Sequence, residues 1–186
     1  MADPLALSAR AGLPEDMRVL LTDVPRDRWD QSLPEMARFW LQMHQGFRQH
    51  HAHMAALTTA WRQGQLDVRG LHDRLIPALQ QFLQHLDGHH RIESGQYFPA
   101  MARVEPRIAT GIALLDRDHE TIHQVLENLF KAGLALHQGL AGPDAGDRAA
   151  RLGDVIERAQ MPLARHLDDE EEIVIPLIAL KGDQLA

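Results

Sequence analysis

No cysteine occurs in this chain of 186 residues. That absence excludes a disulfide framework, a thiolate zinc site, a cysteine nucleophile and a thiolate-held iron–sulfur cluster. Any metal must be held by nitrogen and oxygen. Positive charge is scarce as well: 19 Lys and Arg stand against 26 Asp and Glu, for a formal charge of -7. Neutralising a nucleic-acid backbone needs clustered cations that outnumber the acids, so no nucleic-acid partner is expected. Long apolar runs are missing too, and the opening MADPLALSAR has no basic segment leading into an apolar stretch. The expectation is a soluble, cytoplasmic chain with no membrane partner.

Histidine, by contrast, is abundant. The 12 His run from His44 to His166, too dispersed for a purification tag or a low-complexity tract. The length suits one domain with a core of its own.

Apolar residues recur at helical steps through most of the chain. Leu33, Met36, Ala37, Trp40, Met43, Phe47 and Met54 mark a first helix from Ser32, where Ser32 and Glu35 form a capping-box pattern around Pro34. A second run extends from about Asp67 to Met101, with Leu71, Leu75, Leu79, Phe82, Leu86 and Ile92 facing inward and a kink expected near Pro77. Pro106 opens a third run, carrying Ile112, Leu115, Ile122, Leu126, Leu129 and Phe130 to Gly139. LAGPDAGD is a loop, and a fourth run reaches from about Asp147 to Leu180. Hardly any stretch alternates at period two. The expected fold is all-α, an up-down-up-down four-helix bundle over residues 32–186, preceded by an arm over residues 1–31. Leu13, Val19, Leu20, Leu21 and Trp29 are too apolar to leave the arm in water, so it is expected to lie against the bundle or to form a dimer contact.

The chain also repeats itself. HHRIESGQYFP starts at His89 and HLDDEEEIVIP at His166; in each a Glu follows the His by four residues and an apolar-Pro pair closes the segment. His44 and His119 occupy matching places on the first and third helices. Residues i and i+4 of a helix lie about 40° apart and one turn along, so His89 with Glu93, and His166 with Glu170, can reach one ion together. Histidine and carboxylate donors without sulfur suit iron, manganese or zinc. Taken alone, the run DDEEE at residues 168–172 reads as a solvated acidic face. Tyr97 is either a packing residue or a phenolate neighbour of the site, and His85 either a surface residue or an outer support for His89.

These segments resemble the hemerythrin-like (HHE cation-binding) family of four-helix-bundle proteins over roughly residues 32–180. The resemblance implies two iron ions, oxo- or hydroxo-bridged, held by five His and two bridging carboxylates: His44, His89, His119, His123 and His166, with Glu93 and Glu170. His123, one turn after His119, completes a His-x-x-x-His, although many bacterial members carry a single His on this helix. In oxygen-carrying members the last carboxylate falls five residues after its His, which here is Glu171, whereas the internal repeat selects Glu170.

Two functions fit such a centre. One is binding of a diatomic ligand, oxygen or nitric oxide, or of iron itself, for sensing, storage or scavenging. The other is a di-iron enzyme with peroxidase, oxidase or nitric oxide reductase activity. At the family level, His-rich sites with few carboxylates tend to bind reversibly, which favours the first. The chain is expected as a monomer or homodimer.

Overall fold

The computed structural model describes residues 3–185. Six α-helices are present among them: α1 (Trp29–Ser32), α2 (Glu35–Arg62), α3 (Val68–Ile92), α4 (Phe98–Val104), α5 (Ala109–Gly139) and α6 (Ala145–Lys181). No strand occurs among the described residues, and no helix there is long and apolar enough to cross a membrane. The long helices α2, α3, α5 and α6 form an antiparallel four-helix bundle in which α2 packs on α3 and α6, and α5 packs on α3 and α6. Short connections force neighbouring helices antiparallel, and a π turn at Glu93–Tyr97 joins α3 to α4.

Local signals account for several boundaries. Asp67 caps α3, its carboxylate accepting from the Gly70 amide at 2.7 Å. Gly64 turns the chain before it with a φ of 74°, a left-handed value that glycine adopts without strain. Glu105 accepts from the Arg107 amide at the turn that opens α5.

Other expectations are corrected. The capping box at Ser32 does not form: Ser32 closes the short α1, and α2 starts at Glu35 behind Pro34 with no side-chain cap. Helix α3 runs without a break through Pro77, and its irregularity falls instead at the π turn after Glu93. Met36, Ile92 and Phe130 face outward, at 41%, 48% and 54% exposure. Beside Ile92 the inward positions are taken by His89 and His90 of α3 and by Glu93 just after it, and beside Phe130 that of α5 by Leu129.

The apolar interior forms two clusters. One gathers Met54, Leu71, Phe82, Ile122, Leu129 and Ile156; the other gathers Trp40, Phe98, Met101, Ile112, Leu115 and Ile173. A layer of buried His, Asp and Glu is set among them.

The residues before the bundle cross this layer along α5 and α6. Leu7 belongs to the first cluster, Leu13, Met17, Leu20 and Trp29 to the second, and Arg10 lies between them in sequence. Gly111 makes the close fit possible, because a Cβ there would meet Met17 O and Ile173 Cδ1 at 2.6 Å each.

Candidate metal centre

Each bundle helix contributes to the buried polar layer. His44 comes from α2, His89 and His90 from α3 with Glu93 at the first residue of the π turn, His119 from α5, and His166 with Glu170 from α6. All are 8% exposed or less. Their donor atoms fall into two groups, His44, His89, Glu93 and Glu170 in one and His90, His119 and His166 in the other, each within 4.8 Å.

The carboxylates join the groups. Glu93 presents Oε1 to His89 Nε2 at 2.9 Å and Oε2 to His119 Nε2 at 3.5 Å. Glu170 presents Oε1 to His44 Nε2 at 3.2 Å and Oε2 to His166 Nε2 at 3.6 Å. Both carboxylates therefore span from one set of imidazoles to the other.

Outer contacts orient these side chains. His44 Nδ1 lies 3.2 Å from Glu171 Oε1, which also accepts from Arg48 at 2.7 Å. A carboxylate at Nδ1 places the proton there and leaves Nε2 for the centre. Ser94 Oγ is 2.8 Å from His119 Nδ1, and the Trp40 indole donates to Glu170 Oε1 at 2.7 Å. Asp118 Oδ2 lies 3.7 Å from His166 Nδ1 and is itself gripped by Arg10, which also donates to Asp169 at 2.7 Å.

Electrostatics divide the imidazoles. Burial opposes charge on His44, but the Glu170 and Glu171 carboxylates outweigh it and raise the group to about 9. Burial and neighbouring imidazoles lower His89 and His119 to about 4, and His90 falls well below its ordinary value. Burial, then Glu170, drives Glu93 well above the usual carboxylate range; Glu170 is held well below it, because His44, His89 and His166 outweigh burial.

Among the described residues, seven buried side-chain atoms make no well-aligned hydrogen bond, including Glu93 Oε1 and Oε2, Glu170 Oε2, and the Nε2 atoms of His90, His119 and His166. An orphaned buried polar atom costs about 1–3 kcal/mol, so a cluster of them is unfavourable unless cations satisfy it. The lone pairs of neutral imidazoles and carboxylates are the donors that a hard or borderline cation takes.

His44, His89, Glu93, His119, His166 and Glu170 are thus brought together. His123 is left outside, with its side chain 62% exposed and Nδ1 3.8 Å from Asp87. The inward stripe of α5 runs Leu115, His119, Ile122, Leu126; a second four-residue step, from His119 to His123, turns about 80° from Leu115 and leaves the stripe. The fifth imidazole is His90, which the spacing argument passed over. A signal for it existed, because an inward arc of 100° or more admits two consecutive residues. Glu171 serves as the outer partner of His44. Tyr97 packs edge-on against Trp40 at 5.2 Å and is 37% exposed, and His85 is exposed.

A four-helix bundle whose interior converges His and Glu on two adjacent positions defines a sulfur-free, cation-binding protein. The chain belongs to the hemerythrin family: the model of the hemerythrin HHE cation binding domain matches residues 35–178. Neither the curated proteins nor the solved structures compared with it give a match.

Proposed function

We propose that the chain is a non-haem di-iron protein that binds a diatomic ligand, oxygen or nitric oxide. The observation that carries this is the pair of carboxylates, Glu93 and Glu170, each directing one oxygen to either group of imidazoles. Two irons would be held by His44 and His89 on one side and by His90, His119 and His166 on the other, with Glu93 and Glu170 between. His90 takes the place for which the family resemblance suggested His123. Such a centre would supply the metal chemistry that binds a small ligand.

The chain's own residues do the rest. Trp40 and the His44–Glu171–Arg48 chain hold Glu170 and His44 in orientation. Phe47, Ile122 and Leu126 are buried in the first apolar cluster, and the Phe47 ring lies 5.0 Å from that of His89. Five imidazoles against two carboxylates favour reversible binding over activation.

Metal analysis of protein expressed with ample iron, read with the visible spectrum before and after oxygen, tests the proposal. About two irons per chain and an oxygen-dependent absorption change are expected, since N/O donor sites select metal by geometry and supply. Stoichiometric zinc without iron under those conditions would refute it.

A further inference from the structure

The buried cluster is not covered equally on all sides. Along α5 and α6, Leu7, Arg10, Leu13 and Met17 close it off. Between α2 and α3 a cleft of about 660 Å³ opens instead, and His89 and Glu93 are among the residues that line it. A diatomic ligand needs about the space of one water, roughly 30 Å³, whereas sites for organic molecules measure about 300–1,000 Å³.

The lining is selective. Of the eight large apolar residues exposed among the described residues, Met36, Phe39, Ile92 and Tyr97 gather here. Such a concentration marks a binding surface. Trp40, Phe47, Phe39 and Tyr97 offer aromatic surfaces, and Met36 and Met43 offer adaptable thioethers. No Lys or Arg lines the cleft among the described residues, so an anion would find no permanent counter-ion. His50, Gln84 and His85 are half-buried or exposed and can bond a polar substituent.

Gly46 on α2 and Gly88 on α3 also line the cleft, and a Cβ at either would meet nothing within 4 Å. Glycine inside a helix is about 1 kcal/mol less favourable than alanine. No close neighbour requires it at these positions; both keep the cleft wide.

We infer that this cleft is a binding site for a neutral aromatic molecule bearing a hydroxyl or carbonyl group, seated beside His89 and Glu93. The occupant goes beyond the diatomic ligand, and the protein walls suffice to bind it whether or not the cluster holds metal.

The test is titration of the full-length chain with 2-naphthol, followed by naphthol fluorescence, with metal content measured on the same samples. One saturable site per chain is expected. Gly88→Leu, and Gly46→Leu with Gly88→Leu, fill open space and should weaken binding by about tenfold or more while helicity and metal content stay at wild-type values. Phe39→Ser removes a wall at a residue 62% exposed, where the fold is not at risk, and should also weaken binding several-fold. Non-saturable binding, or unchanged affinity in the filled variants and in Phe39→Ser, would overturn the inference. So would sedimentation showing a dimer that the filled variants dissociate, because the cleft would then be the seat of a second copy. Naphthol binding and metal content are separate readouts, so a chain that lacks iron yet binds naphthol refutes the di-iron reading alone.

Discussion

Replacing Arg10 by methionine keeps an apolar stem of similar length and removes the charge. Arg10 grips Asp118 and donates to Asp169 at 2.7 Å; its side chain is 2% exposed, and those of its partners are 3% and 1%. Without the guanidinium, the ion-pair partners left to the two buried carboxylates among the described residues are Arg165, 3.4 Å from Asp169, and the imidazole of His166, 3.7 Å from Asp118. Removing one partner of a buried ion pair costs about 3–5 kcal/mol, because the charge left behind stays desolvated. For a chain of this size each kcal/mol moves Tm by about 2–4 °C, so Arg10→Met should lower Tm by on the order of 10 °C. Arg18→Ala is the control. Its side chain is 30% exposed against Glu172, and such a pair contributes about 1 kcal/mol or less. Thermal unfolding by circular dichroism at matched metal content measures both. Adding Asp118→Asn and Asp169→Asn to Arg10→Met should restore part of the loss, since no unpaired charge then remains. Metal retention should fall in Arg10→Met even below its Tm, because Asp118 loses the group that holds it beside His166. Equal losses for Arg10→Met and Arg18→Ala would refute the reasoning.

The acidic run on α6 gives a second expectation: Glu170→Ala should abolish metal binding, while Glu171→Ala, which frees His44 Nδ1, should weaken it by about 10–100-fold, the scale of an outer-partner loss. Metal content after dialysis separates them, and the reverse order would place the donor five residues after His166. His90→Ala should lower metal content and His123→Ala leave it unchanged, because His90 is 7% exposed while the His123 side chain is 62% exposed; elemental analysis of both decides. Arg107 and Lys181 hold the Glu105 carboxyl well below the usual carboxylate range. The stability it contributes is therefore present above the ordinary carboxylate pKa of about 4.5 and is lost as pH falls through its depressed folded value. Denaturant unfolding from pH 7 to pH 2 should show wild type and Glu105→Gln converging at the acid end; a constant gap would refute it.

The class of the molecule was legible in the chain. Apolar residues at three- and four-residue steps define the long helices, since helical periodicity is a local property. The pairing of His89 with Glu93 and of His166 with Glu170 follows from rotation along a single helix, and the absence of cysteine restricts the ligand set to nitrogen and oxygen. Which imidazole completes the cluster was not legible. Spacing from His119 pointed to His123 and passed over His90, and the choice depends on how α3 and α5 are rotated about their axes, which packing between helices sets. The same holds for the run 168–172. As a string it reads as a solvated face, yet Asp169, Glu170 and Glu171 are buried, because Arg10, Trp40, His44 and Arg48 arrive from positions more than a hundred residues away. Local periodicity determines helices and the residues that share a face. Only tertiary packing brings distant charges close enough to make a buried carboxylate tolerable, and so decides which acids face the centre and which support it.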